Sequence, residues 1–335
     1  MAAITDLLNS SFSARATFFD ETHEAAFRLF NGFLEGCPAL SVDVYGRSIL
    51  MHNYAKTPED DQSAAARDLI LKRFPWVDCI VVKNHNGKSD AERRGVIRHG
   101  SAPARKVKVD GVWYSIDLTM NRDASLYLDT RNLRKWAQEN LGGKTVLNTF
   151  AHTGSLGVAA LAGGAKRVVQ LDRNRSFLNI AKISYPLNGF PIDKKDFNGS
   201  DFFPAIAQFK RDAQTFDCVF LDPPFFATTP RGTVDLATGS SRLINKIRPL
   251  VNDGGWLVAI NNALFVSGKD YMASLEALCS DAYLSIEQMI PVANDCAGFP
   301  QTRIGAPPAD PSPFNHSTKI AVLRVRRKAN APPLD

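Results

Sequence analysis

The stretch TVLNTFAHTGSLGVAALAGGA, residues 145–165, with KRVVQLDRN, 166–174, directly behind it, decides the fold. Thr145 to Phe150 is a short apolar run of strand length. A glycine turn follows, then Thr153 to Ala162 reads as a helix closed by Gly163-Gly164. Arg167 to Asp172 is a second strand, and Asn174 to Leu187 a second helix. The rhythm continues outward. Arg134 to Leu141 is a helix ended by Gly142-Gly143, Phe216 to Leu221 a strand, and Ser240 to Leu250 a helix. Trp256 to Ile260 is a strand, Asp270 to Cys279 a helix, and Tyr283 to Ile290 and Lys319 to Arg326 are the last strands. Alternating β and α units imply a parallel sheet with helices on both faces. Only a loop, Pro291 to Thr318, joins the last two strands, so one of them is expected to run antiparallel at the sheet's end.

Up to about Leu118 the pattern differs. His23 to Leu34 has helical spacing, and Leu40 to Val44 and Ser48 to Met51 read as strands around Tyr45-Gly46-Arg47. A helix, Ala64 to Lys72, and a strand, Cys79 to Lys83, come next. Val107 to Val109 and Val112 to Ile116 flank Asp110-Gly111, a hairpin signal. This predicts a small α+β domain over 1–118 and a larger α/β domain over 119–335. The chain has 335 residues, 44% of them hydrophobic, enough for two cores. It holds no apolar run of about 18 residues, and its first residues lack a basic start before a long apolar stretch, so a cytoplasmic protein without a membrane partner is expected. Cys37, Cys79, Cys218, Cys279 and Cys296 are scattered, odd in number and without a CxxC pair, which argues against a disulfide or zinc framework. The net charge of +6 favours a polyanionic partner without proving one, and the run RVRRK, 324–328, reads equally well as a solvated strand end.

Three turns carry the chemistry. In a doubly wound sheet, ligands sit beyond the carboxyl ends of the strands. Gly154, after the first strand, lets a backbone approach a ligand closely, and the helix behind it offers free N–H groups to a carboxylate such as the methionyl end of S-adenosylmethionine. An ordinary strand-to-helix turn reads the same way. Asp172 ends the second strand, 18 residues after Gly154, where a carboxylate can accept from ribose hydroxyls; a helix N-cap is the plainer reading. The turn Gly154-Ser155-Leu156-Gly157 lacks the full G-x-G-x-x-G, which disfavours a pyrophosphate cradle and hence an NAD-dependent dehydrogenase. Asp222-Pro223-Pro224-Phe225-Phe226 is the most specific motif. Two prolines stiffen the corner and leave carbonyls as acceptors for a base amino group, and Phe225 or Phe226 can stack on an unstacked base.

TVLNTFAHTGSLGVAALAGGA, VVQLDRN and LDPPFF, with SLYLDTR upstream, together resemble the large-subunit ribosomal RNA methyltransferases that make 5-methylcytosine or 7-methylguanine. RLFNGFLEGCPALSVDVYGRSILMHN looks like the small domain preceding the catalytic domain of that family, and VVKNHNGKSDAERRGVI is similar to its 7-methylguanine side. The resemblance implies a Rossmann-like seven-stranded class I methyltransferase sheet that binds S-adenosylmethionine and acts on RNA, as a monomer or homodimer. It implies that Arg131 helps close the cofactor pocket and that Asn148, Phe150, His152, Thr153 and Gly154 line the methionyl end. Asp172 would hold the ribose with Arg173 beside it, Asp201 would face the adenine, and Asp222 would sit near the sulfonium and the target base. A surface salt bridge for Asp129 and Arg131, and a helix cap for Asp201, are the plainer alternatives.

Two departures matter. The cytosine branch commonly carries an N-terminal PUA-like RNA-binding module, which this chain is expected to lack. That branch also places a cysteine after the fifth strand, because carbon 5 of cytosine needs a thiolate adduct. Here the turn reads Ala259-Ile260-Asn261-Asn262-Ala263, with Asn262 in that place. Cys218 and Cys279 read as core residues; Cys296 is the one candidate substitute thiol, with a plain loop thiol as the favoured reading. A guanine nitrogen needs no adduct, only positioning, which Asn262 and the Pro224 carbonyl could supply. Asp295, Arg303 and His316, in the long loop, are further candidate substrate contacts, with loop-stitching as the alternative. The expectation is thus an RNA base methyltransferase with Asp222, Pro223, Pro224, Phe225 and Asn262 at the reacting base; the alternatives are the dehydrogenase and an RNA-binding relative that has lost catalysis.

Overall fold

The computed structural model describes residues 3–56 and 61–327. The chain divides into two compact units, Met1–Asp129 with Ala293–Ala306, and Thr130–Val292 with Pro307–Asp335. The expected boundary at Leu118 therefore falls inside the first unit. That unit also takes back residues 293–306, which sequence order alone assigns to the second.

The first unit contains α1 (Ile4–Ala14), β1 (Ala26–Asn31), α2 (Gly32–Glu35), β2 (Leu40–Tyr45), β3 (Ser48–Asn53), α3 (Asp61–Arg73), β4 (Cys79–Asn84), α4 (Asp90–Arg94), β5 (Val96–His99) and a hairpin of β6 (Lys106–Val109) and β7 (Val112–Ser115). Its five-stranded sheet runs β1-β2-β3-β4-β5. Only β3 and β4 are parallel, because the helical crossover α3 lies between them. Asp110 and Gly111, both at positive φ, make the tight turn of the hairpin.

The segment 23–34, expected as a helix, is β1 followed by the single turn α2. Phe27, Phe30 and Leu34 fit a helical stripe, but Leu29 is buried as well. With both faces apolar, helical spacing loses its force. β1 is an edge strand, and the returning segment supplies it with partners. The Arg28 N–H donates to Asp295 Oδ2 at 2.8 Å, and Asn31 Nδ2 to the Cys296 carbonyl at 2.7 Å. Beside it, Arg15 and Glu35 form an ion pair at 2.9 Å with both side chains buried. Ser11, the Asn31 N–H and Thr302 also donate to the Glu35 carboxylate. Such a pair is stable only while every partner is present.

The second unit runs α5 (Arg131–Asn140), β8 (Thr145–Thr149), α6 (Ser155–Ala162), β9 (Arg167–Leu171), α7 (Arg175–Leu187), β10 (Phe197–Asn198), α8 (Phe202–Arg211), β11 (Phe216–Leu221), β12 (Phe226–Thr229), β13 (Gly232–Asp235), α9 (Ser240–Ile247), β14 (Val251–Asn261), α10 (Gly268–Cys279), β15 (Leu284–Met289) and β16 (Lys319–Val325). Seven strands form one sheet in the order β10-β9-β8-β11-β14-β16-β15. β16 is antiparallel to both neighbours, as expected of one of the last two strands; the connection before it holds only the single helical turn Asn294–Ala297. Alternate residues feed opposite layers. Leu147, Val219, Leu257 and Leu323 join one apolar cluster, and Val146, Cys218, Val258 and Val322 the other. The small hairpin β12–β13 has no counterpart among the sequence expectations.

All five cysteines are free thiols, and all but Cys279 are buried. Among the described residues no helix is long and apolar enough to cross a membrane. In the run 324–328, Arg324 lies over the Trp256 ring at 4.4 Å and pairs with Glu287 at 2.6 Å, which supports the strand-end reading; Lys328 lies outside the described residues. Replacing Glu35 by Ala leaves a buried guanidinium without its partner, so urea denaturation should show a loss of about 3–5 kcal/mol. A loss below about 1 kcal/mol would mean that the Arg15–Glu35 pair does not hold the first unit together.

Candidate active site

β8, β9, β11 and β14 are parallel, so the turns that leave them emerge at one edge of the sheet. The strand order reverses between β8 and β11, which opens a crevice at that edge. Phe150, His152, Thr153 and Gly154 follow β8, Asp172 follows β9, Asp222 follows β11 and Asn262 follows β14. Residues far apart in sequence thus share one rim of the second unit.

The turn after β8 is tightly constrained. Phe150 and His152 have φ near 50° and Gly154 has φ 75°. Asp172 holds this geometry: its Oδ2 accepts from the His152 N–H and its Oδ1 from the Asn174 N–H, both at 2.8 Å. The Ala151 N–H adds a bond to the Leu171 carbonyl at 2.9 Å. Burial pushes the Asp172 carboxyl up, against the two N–H donors that pull it down. Burial also lowers His152 to about 4, with its ring against Phe177 at 4.3 Å.

Gly154 is required by packing as well as by φ. A Cβ there would lie 2.6 Å from the Ala181 Cβ and 3.0 Å from Gln170 Nε2. The glycine lets α6 approach α7 and β9 closely. Gln170, missed in the sequence, is fully buried. Its amide accepts from Asn148 Nδ2 at 2.9 Å and donates to the Gly154 carbonyl at 3.2 Å. Asn148 therefore spends its donor on the scaffold, and its buried Oδ1 has no hydrogen-bond partner. A polar residue inside the apolar run VVQL was the available signal for Gln170.

No side chain caps the start of α6, which leaves a helix N-terminus able to receive an anion. Phe150 stacks on Phe202 at 4.6 Å. Thr153 and Arg131 are buried, Arg131 as the first residue of α5. Arg173 is exposed. Asp201 caps α8 by accepting from the Phe203 N–H at 3.1 Å, the plainer of its two readings.

At the double-proline corner, Pro223 is buried while Pro224 and Phe225 are exposed. Asn262 Nδ2 donates to the Pro223 carbonyl at 3.4 Å. Asn262 Oδ1 is buried without a hydrogen-bond partner. Cys218 is buried inside β11, where burial drives its thiol far up. Cys296 sits buried in a one-turn helix, Asn294–Ala297, of the first unit, rather than in an open loop. Asp295 is spent on the Arg28 N–H, and His316 Nδ1 accepts from the Thr318 N–H at 3.0 Å; both are stitching residues. Arg303 is exposed in the first unit.

Residues 93–296 match the family model of S-adenosylmethionine-dependent methyltransferases. The chain belongs to that family. Relatives of this methyltransferase include a ribosomal RNA large subunit methyltransferase I of Vibrio cholerae, 32% identical over 69% of this chain and 60% of that protein. A putative ribosomal RNA large subunit methyltransferase of Bacillus subtilis, YwbD, is 29% identical over 84% and 72%. The methyltransferase spans 62% of the length of the Photobacterium profundum relative, at 26% identity over 71% of this chain. In fold it is similar to a putative methyltransferase of Streptococcus mutans, with a TM-score of 0.78 at 19% identity over 97% of this chain and 82% of that one. It is likewise similar to SMU.776, a putative methyltransferase complexed with SAH, with a TM-score of 0.79 at 21% identity over the same shares. The uncapped α6 and the Asp172 carboxylate suit the carboxylate and ribose of the family's cofactor.

The folded pKa of His152 lies below its unfolded value of about 6.5. The unfolded chain therefore takes up a proton first, and stability is lost as pH falls from about 6.5 towards 4. His152→Gln should flatten that part of the urea-midpoint profile. An unchanged slope would mean that His152 titrates alike in the folded and unfolded chain.

Proposed function

We propose that this methyltransferase acts on a base of RNA, ribosomal RNA first, and that the acceptor is a guanine nitrogen rather than cytosine C5. The observation that carries this is Asn262. Its Nδ2 is anchored on the Pro223 carbonyl while its buried Oδ1 has no partner, a cost that a base amino group would relieve. Among the described residues, the turn after β14 offers an amide where cytosine chemistry needs a thiol, and Cys218 is walled into the sheet. The relatives named for large-subunit ribosomal RNA support the substrate class.

S-adenosylmethionine, when bound, supplies an activated methyl group. The chain's own residues then bind and orient. The α6 N-terminus and the Phe150–Thr153 turn receive the methionyl carboxylate, and Asp172 the ribose. Arg131 packs at the start of α5 to close the pocket. Gly154, Asn148 and Gln170 hold the turn from behind. Asp201 fixes α8, which carries the Phe202 ring under Phe150. Asp222 and the Pro223–Pro224 corner present the base, Asn262 reads its edge, and Phe225 stacks on it. The lone pair of the base nitrogen needs alignment more than activation, so positioning is the main catalytic contribution. A base inside a duplex is out of reach, so the nucleotide is unpaired or flipped out.

The first unit is assigned to holding RNA. Residues 88–108 contain seven Lys or Arg and two Asp or Glu, an excess of five in a chain whose net charge is +6. Such a stretch suits a phosphate backbone.

Comparing modified nucleosides in ribosomal RNA from cells with and without the gene tests this assignment. Loss of one methylguanosine is expected, and loss of 5-methylcytidine alone would overturn it. In tritiated-methyl transfer, Asn262→Ala should lower kcat about 10-fold or more while leaving S-adenosylhomocysteine affinity unchanged. Asp172→Asn should weaken that affinity about 10-fold, measured by calorimetry.

A further inference from the structure

The two turns that meet at the double-proline corner are laced into one ledge. The Phe225 carbonyl accepts from the Leu236 N–H at 3.0 Å, and the Leu236 carbonyl from Asn261 Nδ2 at 3.1 Å. Asn262 Nδ2 closes the lacing on Pro223. Four of the eleven exposed large apolar side chains among the described residues stand on this ledge: Phe225, Phe226, Leu264 and Phe265. Phe265 is the most exposed of all, at 78%.

Its exposure does not come from a loose loop. The Ala263 N–H donates to Asn261 Oδ1 at 2.9 Å, and the Ala263 carbonyl accepts from the buried Lys319 Nζ at 3.0 Å. Val266 packs against the core, and Ser267 caps α10. A turn pinned on both sides of Phe265 holds a bare aromatic ring in water, at a hydrophobic cost. The neighbouring polar group without a partner is Asn262 Oδ1. A ligand that offers a flat π face and a hydrogen-bonding edge answers both.

We propose that Phe265 is a substrate-stacking residue that takes the unpaired nucleobase flanking the acceptor, while Phe225 serves the acceptor itself. This rests on the RNA reading given above. Phe265 stands three residues beyond Asn262 on the same pinned turn, whereas Phe225 lies on the corner that Asn262 contacts. Stacking of this kind is indifferent to base identity, so Phe265 sets affinity for an exposed strand and not the choice of acceptor.

The test uses the full-length protein with ribosomal RNA from cells lacking the gene. Phe265→Ala should raise KM for RNA about 10-fold, with kcat within about twofold and S-adenosylhomocysteine affinity unchanged, the last also showing that the variant is folded. Phe265→Trp should keep the wild-type KM, and its added fluorescence should be quenched by single-stranded RNA but not by duplex RNA of the same length. If wild type transfers methyl to RNA but Phe265→Ala keeps its KM, or Phe265→Trp is not quenched, the stacking role is overturned and the RNA reading stands. If wild type transfers no methyl group to any RNA, both fall.

Discussion

One carboxylate sets the geometry of the cleft. Asp172 receives N–H groups from two turns, that of His152 after β8 and that of Asn174 before α7. Non-glycine residues at positive φ store strain, and Phe150 and His152 both do so within three positions. The strain persists because Asp172, Gln170 and the close approach of α6 to Ala181 leave the turn no other shape. A rigid turn is what a small, charged cofactor requires, since any ordering left until binding subtracts from affinity.

The rest of the site follows from topology more than from chemistry. Parallel strands deliver their exits to one rim, and the reversal of strand order parts two of those exits. What differs from one such protein to the next is the few residues planted there. Here they are a proline corner, an amide and a set of bare rings.

Much of the second unit was legible in the sequence because its strands are buried on both sides and read as short apolar runs between glycine or proline stops. The antiparallel β16 was inferable from the lack of a full crossover helix before it. β1 was not legible, since a strand with both faces covered carries no alternation, and Phe27, Phe30 and Leu34 happen to fit a helix. The positions of Gly154, Asp172, Asp222 and Asn262 at one rim could be foreseen from strand ends alone. The packing of Gly154 on Ala181 and the bond from Asn148 to Gln170 were not legible, because both partners are set by long-range packing. Asp201, Asp295 and His316 show the general ambiguity of short polar side chains. Each can serve a ligand or a nearby backbone N–H, and only the folded chain shows which.

The return of residues 293–306 to the first unit has a consequence for synthesis. Ribosomes release the chain from its N-terminus, so β1 emerges long before Asp295 and Cys296, the groups that satisfy Arg28 and Asn31. The buried Arg15 must likewise wait for the Asp295 carbonyl, and Glu35 for Thr302. The first unit to be translated is thus completed almost last, after every parallel strand of the second has been made. A cut after Asp129 would deprive the first unit of residues 293–306, so that unit matures only once most of the second has been made.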